Sequence, residues 1–285
     1  PFYRPDHVRI QGKINEANTF LRHSVAALRL KEKSMEEIGL QLASDLQRFE
    51  YPLPADDPNK GNGIQSITYL IPSLGPGGAE RQLATLAKEI NSKGISTSII
   101  CFPLTDEGKH YNYLIKDSSI SFFEIDSQKY VENGRKVLEL RSNFLNPLWI
   151  KTIENNSKML SLLGLLDLCN STVLHCYLDD ANCLGGLAGL VAGIPKVILS
   201  LRSMAPDKTE HLSHLVGWSK VIYTFLARSQ NIHFEANSSA GARDYAEWLN
   251  IDLEKINVTF NGIDSEYFSL CSEEERIEAK ISLGL

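Results

Sequence analysis

The chain has 285 residues, of which 43% are hydrophobic and 22% charged, a composition that excludes an intrinsically disordered protein. Its 29 Lys and Arg against 35 Asp and Glu give a net charge of −6, which opposes binding to nucleic acid or to anionic lipid. The five dispersed cysteines form no Cys-x-x-Cys pair, which argues against a disulfide framework or a thiolate zinc site and indicates a reducing compartment. The longest apolar run, Leu184–Leu201, contains Pro195 and Lys196, so no transmembrane helix is predicted.

The first part of the chain predicts a helical hairpin. Apolar side chains recur at helical spacing over Ile14–Leu28 and again over Met35–Phe49. Residues 52–63 are rich in Pro, Asp, Asn and Gly and mark a linker. We therefore assign residues 1–60 to an N-terminal helical extension that packs on the main domain or on a second copy of the chain.

From Ile64 onwards, short β-branched or aromatic runs alternate with longer helical periods, as in βα units around a parallel sheet. The predicted strands are Ile64–Ile71, Ser96–Phe102, Ser121–Ile125, Thr172–Tyr177, Lys196–Leu201, Ile232–Ala236 and Ile256–Phe260. The predicted helices are Ala79–Ser92, Pro147–Leu163, Ala181–Ala192, His211–Leu226 and Ala240–Leu249. The sequence thus predicts an α/β fold, a Rossmann-like parallel sheet flanked by helices, over residues 61–264, in which Leu104–Leu145 gives no clear pattern.

The tail, residues 265–285, predicts a linker with one helix. Ser272 precedes Glu275 by three residues, the capping-box pattern that starts a helix. The last residues, Leu283-Gly284-Leu285, suit the end of a helix but not of a domain, and the chain opens without Met. We expect an excerpt of a longer protein.

The most informative segment is Ile67–Gln82, which combines an apolar strand, a glycine-rich turn and a helix. In an open parallel sheet, ligands bind beyond the carboxyl ends of the strands, where helix N-termini present free N–H groups to anions. Gly77 and Gly78 have no side chain that would block an anion, and Glu80 complements the helix dipole. The spacing matches neither the dinucleotide fingerprint nor the P-loop, which disfavours an oxidoreductase. A tight turn without a ligand is the alternative.

A histidine follows in the fourth predicted strand. His175 lies near the end of Thr172–Tyr177, where a titratable group would meet a ligand, although a structural histidine is the alternative. Asp179 and Asp180 are expected to cap the next helix, whose glycines permit close packing on the sheet.

Polar residues also follow the later strands, and their loops together would form a polar cleft rim: Arg202, Asn237, Ser238, Asn261 and Gly262. Taken singly, each has a plainer alternative. Arg202 would then form a surface ion pair, Asn237 and Ser238 would cap a helix, and Asn261-Gly262 would be a simple turn.

Several of these motifs in their order resemble the N-terminal half of family 4 glycosyltransferases. They are the run from Pro72 to Gln82, its spacing to His175, Ala236-Asn237-Ser238, and Asn261-Gly262-Ile263-Asp264. The resemblance covers roughly Ile64 to Leu285. It implies one half of a GT-B fold and a retaining, metal-independent transfer from a nucleotide-diphosphate sugar to a glycan or lipid-linked acceptor, with no cofactor.

The same resemblance implies roles for the candidate residues. Gly77 and Gly78 would bind the donor diphosphate, His175 would be catalytic, and the acceptor side of the cleft would hold Arg202, Asn237, Ser238, Asn261 and Gly262. Loss of a nucleoside diphosphate builds negative charge at the leaving group, which N–H donors and a histidine can stabilise.

We therefore expect a cytoplasmic hexosyltransferase of polysaccharide biosynthesis that is active only with a second, C-terminal domain. Expected partners are the sugar nucleotide and the acceptor, with no nucleic acid; peripheral association with the inner face of a membrane and oligomerisation through the N-terminal helices stay open. The rival interpretation is a non-catalytic Rossmann-like binding module for a protein or glycan.

Overall fold

The computed structural model describes residues 64–125, 128–145, 147–263 and 271–284. The predicted helical extension over residues 1–60 lies outside them, as does the predicted boundary at 264–265. The described residues form one sheet with helices on both of its faces.

Seven strands form a single parallel sheet. They are β1 (Ser66–Ile71), β2 (Ser96–Cys101), β3 (Ser121–Glu124), β4 (Val173–Tyr177), β5 (Lys196–Leu201), β6 (Ile232–Ala236) and β7 (Ile256–Val258), in the spatial order β3-β2-β1-β4-β5-β6-β7. All seven predicted strands are confirmed, with ends that agree within two residues. Because helices cover both faces, the central strands bury consecutive residues, which is why the apolar runs identified them.

The described helices lie between these strands in the chain, except the last, which follows β7. They are α1 (Gly78–Ser92), α2 (Asn112–Ile115), α3 (Val131–Arg141), α4 (Pro147–Glu154), α5 (Ser157–Leu168), α6 (Asp179–Val191), α7 (Val216–Leu226), α8 (Ser239–Leu249) and α9 (Glu273–Ser282). The predicted capping box at the start of α9 is confirmed, since Ser272 and Glu275 each bond to the other's backbone N–H.

Two predicted helices were wrong in extent. The single helix expected over Pro147–Leu163 is two helices, α4 and α5, because the Asn156 side chain accepts a hydrogen bond from the Met159 N–H at 3.0 Å and starts a new helix. The helix expected from His211 begins only at Val216, after two short 3₁₀ turns.

The hydrophobic core lies in two layers, one on each face of the sheet. Tyr69 and Ile99 belong to the layer under α1, whereas Leu70 and Leu174 belong to the larger layer under α5 to α8. Along β1 the side chains thus alternate between the two layers, as the strand geometry requires.

Helix α6 packs unusually close to the sheet. A Cβ atom added at Gly185 would lie 2.3 Å from the Cys176 Sγ, and one at Gly189 would lie 2.6 Å from Val197. These contacts confirm that the glycines of this helix permit close packing.

Candidate functional site

The order of the strands reverses between β1 and β4, since the chain runs outwards from β1 to β2 on one side and from β4 to β5 on the other. The loops that follow β1 and β4 therefore diverge and leave a crevice at the carboxyl edge of the sheet. Crevices of this type hold the ligands of open α/β sheets.

The glycine turn lies at the crevice, between β1 and α1. Gly77 is the N-cap residue of α1, and no side chain caps the helix there. A Cβ added at Gly78 would meet no atom within 4 Å, so open space lies in front of the first turn. Neither glycine has a positive φ, so the backbone conformation of the turn does not require them, and their binding of a diphosphate stays a prediction. The predicted placement of Gly77 and Gly78 thus agrees with the structure.

Glu80 occupies part of the space in front of the glycine turn. Its carboxylate folds back so that Oε2 lies 2.1 Å from the position of a Cβ on Gly77. Burial raises the pKa of Glu80, and a hydrogen bond from its own backbone N–H partly offsets this effect. The carboxylate thus complements the positive end of α1, as predicted.

His175 lies inside the sheet and not at its edge. It is the third of the five residues of β4 and is only 6% exposed. Its Nε2 lies 3.0 Å from the Ser200 Oγ, which in turn donates to the Glu235 Oε1 at 3.1 Å. The expected exposure of the imidazole to the crevice is therefore corrected: β4 continues for two residues beyond it, and Nε2 is turned towards β5 and β6. A direct catalytic contact stays a prediction, one that this burial disfavours.

The environment of His175 keeps the imidazole neutral. Burial lowers the pKa of His175 to about 3, and the positive charges of Arg202 and Lys196 act in the same direction. Its contact with Glu235, 3.7 Å from Nε2 to Oε1, is therefore not an ion pair at neutral pH. The ring also packs against Tyr69 and Tyr177, with centroids 5.6 and 4.7 Å away.

Arg202 is the cationic group at the crevice. It follows β5, and its guanidinium lies 5.0 Å from the ring centroid of Tyr177, the last residue of β4. Its Nη2 donates to the Asn261 Oδ1 at 2.5 Å, and its buried Nε has no hydrogen-bond partner among the described residues. The stacking and the hydrogen bond hold the cation at the edge of the sheet, in place of the surface ion pair that was the alternative.

Residues Thr259–Ile263, which we call the strap, cross the carboxyl edge of the sheet after β7. The Thr259 N–H donates to the Ala236 carbonyl at the end of β6 at 2.9 Å, and Asn261 contacts Arg202 beyond β5. Gly262 then bonds to Gln82 of α1 in both directions, at 2.8 Å through its carbonyl and 3.1 Å through its N–H. Asn261 and Gly262 are therefore more than a simple turn.

Two predicted rim residues make structural hydrogen bonds, and their place on the cleft rim stays a prediction. The Ser238 hydroxyl accepts a hydrogen bond from the Gly241 N–H at 3.0 Å and caps α8. The Asn237 N–H donates to the Leu201 carbonyl at 3.4 Å, which continues the pairing of β5 with β6. For Ser238, the helix-cap alternative describes what the structure shows.

Asp179 does not cap α6 as predicted. The N-cap residue is Leu178, whose backbone has φ 73 and ψ 154, a conformation that side chains rarely adopt. Asp179 is buried, and its Oδ1 accepts hydrogen bonds from the hydroxyls of Tyr223 at 2.7 Å and Tyr245 at 2.8 Å. Burial raises the pKa of Asp179, although both hydroxyl bonds lower it.

Sequence reasoning missed Tyr177 and Gln82. Tyr177 ends the predicted strand and could have been found by asking which residue stands closest to the edge. Gln82 lies one turn into the predicted helix but is 180 residues from its partner Gly262, so no local pattern signals the contact.

Among the described residues, no group of three side chains suited to a metal ion comes together, and no helix is long and apolar enough to cross a bilayer.

Comparisons with known proteins place the fold. No family model matches the chain. It is 30% identical over 207 residues to the Vi polysaccharide biosynthesis protein VipC/TviE of Salmonella typhi, an alignment that covers 67% of this chain and 35% of that protein. The crystal structure of Anabaena HepE in complex with UDP superposes with a TM-score of 0.51 at 18% identity, covering 77% of this chain and 50% of HepE. HepE in complex with UDP and glucose gives the same values.

These likenesses confirm the fold class. The chain has a Rossmann-like sheet of the kind that forms one half of a GT-B fold. It spans about a third of the length of the curated relative and half of the length of HepE.

Proposed function

We propose that this chain is the acceptor-side part of a glycosyltransferase, which transfers a sugar from a nucleotide-diphosphate sugar to a glycan or lipid-linked acceptor. The relative VipC/TviE is named for polysaccharide biosynthesis, and HepE, which shares the fold, was solved with UDP and with UDP and glucose. These names support a transferase, and the glucose favours a hexosyl donor.

The observation that carries the proposal is the pairing of two anion-attracting groups at one crevice. The uncapped N-terminus of α1 opens onto free space at Gly78, and the guanidinium of Arg202 is held over Tyr177 at the neighbouring strand. Both would stabilise the charge that builds on a departing nucleoside diphosphate. We assign the diphosphate to Gly77 and Gly78 and propose Arg202 as its cationic partner.

His175 takes a different part in this proposal from the one its sequence position implied. A neutral, 6% exposed imidazole is poorly placed to exchange a proton with a substrate. We propose that it supports Tyr177 from beneath, and that Tyr177 in turn supports Arg202. The retaining outcome and membership of family 4 stay inferences from the motifs.

We place the activity in the cytoplasm. The five cysteines outside any disulfide, of which Cys101, Cys176 and Cys183 are buried, suit a reducing compartment. Association with a membrane would come from the acceptor and not from a spanning helix of the described residues.

The experiment is a donor screen on the full-length protein that detects the released nucleoside diphosphate, repeated with Arg202→Ala. We expect release with a UDP-hexose and a loss of about 10²-fold or more in kcat/KM in the variant, as for other groups that stabilise developing charge. Arg243→Ala on the exposed surface of α8 is the matched control and should keep full activity. Binding of the sugar nucleotide without release would favour the non-catalytic binding module, and no response to any sugar nucleotide would contradict the proposal.

A further inference from the structure

The strap is short compared with the distance that it spans across the sheet. Four strand spacings of about 4.8 Å, or roughly 19 Å, separate β7 from β1, whose following helix carries Gln82. The four residue-to-residue steps from Val258 to Gly262 reach at most about 14 Å when extended. The Gln82 side chain and the twist of the sheet make up the difference, so the strap must run nearly straight across the edge.

The strap is fixed by contacts that follow one another in the order of the strands beneath it. Thr259 bonds to the end of β6, Asn261 to Arg202 after β5, and Gly262 to Gln82 on α1. Gln82 makes two of these hydrogen bonds, because its amide satisfies both the N–H and the carbonyl of Gly262. Two hydrogen bonds to one amide fix both the orientation of the Gly262 backbone and its distance from Gln82.

The strap is also what holds the guanidinium of Arg202. Nη2 donates to Asn261, the neighbour of Gly262, and Cζ of the group lies over the Tyr177 ring. The Nε is buried without a partner among the described residues, so no hydrogen bond at Nε helps to fix the orientation of the guanidinium. Release of Gly262 would therefore free Asn261 and let Arg202 turn into solvent.

We propose that Gln82 is a positioning residue, which clamps the strap at Gly262 and thereby keeps the Arg202 guanidinium over Tyr177, facing the crevice. Gln82 itself need not touch the ligand. The identity of that ligand as an anion rests on the proposed function, whereas the clamp is a property of the free protein and can be tested without a ligand.

The first test observes Arg202 directly, in the full-length protein labelled with ¹⁵N-arginine. The Nε–H resonance, assigned by its disappearance in Arg202→Lys, should be shifted by the Tyr177 ring and exchange slowly with water because Nε is buried. In Gln82→Ala it should lose the ring shift and exchange about tenfold faster, the effect of about 1.4 kcal/mol in hydrogen bonds. Alanine is the best helix former, so α1 should stay intact.

Two further variants sharpen this test. Gln82→Glu keeps the acceptor for the Gly262 N–H but loses the donor to its carbonyl, so an intermediate shift is expected. Lys88→Ala, an exposed residue of the same helix, should leave the resonance unchanged. A resonance that is the same in Gln82→Ala and the wild type would overturn the inference.

The second test measures binding of UDP to the same proteins. Gln82→Ala should weaken binding by about three- to tenfold, and the loss should vanish in an Arg202→Ala background, because two residues that act through one group are not additive. An unchanged affinity in Gln82→Ala, or full additivity with Arg202→Ala, would overturn the positioning role. If UDP fails to bind the wild-type protein, the same comparison is made with the nucleoside diphosphate found in the donor screen. If no nucleoside diphosphate binds, the proposed function fails, and the resonance of Arg202 still decides whether the clamp exists.

Discussion

Replacing Tyr223 with phenylalanine tests how the buried carboxylate of Asp179 is stabilised. Tyr223 and Tyr245 are fully buried, and both hydroxyls donate to the Asp179 Oδ1. Removing a hydrogen bond to a charged group costs about 1.5–3 kcal/mol. Tyr223 also accepts from the Asn182 Nδ2 at 3.0 Å, so its loss affects two groups and should cost more than Tyr245→Phe.

The loss of unfolding free energy in Tyr223→Phe should depend on pH, and the direction of this dependence follows from the pKa of Asp179. Burial raises the pKa of Asp179 in the folded chain, so the folded state holds this proton more tightly than the unfolded state does. The group therefore adds most to stability below its ordinary pKa, about 3.9, and this contribution is lost as the pH rises through the folded value. A hydroxyl bond matters most to the ionised form, so Tyr223→Phe should cost more at neutral pH than at about pH 4.

Urea unfolding at both pH values measures this difference. Trp248 packs edge-on against both tyrosines, with ring centroids 6.2 Å from Tyr223 and 5.8 Å from Tyr245, so its fluorescence reports on the network. In an Asp179→Asn background, the pH dependence of the Tyr223→Phe cost should disappear. Equal costs at the two pH values, or a smaller cost for Tyr223→Phe than for Tyr245→Phe, would refute the reasoning.

Two other substitutions test the packing of α6 and the cap of α8. Gly185→Ala should destabilise the fold by about 1–3 kcal/mol in urea, because its Cβ would lie 2.3 Å from the Cys176 Sγ. Gly217→Ala, where a Cβ meets nothing within 4 Å, should be neutral or stabilising, and equal effects at the two glycines would contradict the close packing. Ser238→Ala should lower the unfolding free energy by about 1 kcal/mol while UDP affinity stays unchanged, and a loss of affinity would restore Ser238 to the cleft rim.

The central strands could be predicted from sequence because each contains a short apolar run that helices bury on both faces of the sheet. β4 shows this well, since all five of its residues are buried. The break between α4 and α5 could not be predicted in the same way. Five consecutive polar residues, Glu154–Lys158, interrupt the apolar pattern there, but they do not by themselves show which residue starts a new helix. The hydrogen bond from the Met159 N–H to Asn156 shows that Asn156 does.

The candidate site could be predicted only in part, because its contacts join residues that are distant in the chain. The glycine turn was found from one continuous segment. The partners of His175 are Ser200 and Glu235, which lie on two later strands, and no spacing along the sequence shows that the imidazole turns towards them. The contact of Gln82 with Gly262 is equally non-local.

The path of the strap also carries the chain from the outer strand β7 back towards the centre of the sheet. A chain that simply left the sheet at Val258 would depart from the outer margin, several strands away from the glycine turn. The strap instead delivers the polypeptide to Gln82, next to that turn. Ile263, the last residue of the strap, thus lies next to the residue that contacts Gln82, on the crevice side of the sheet and not at its outer margin.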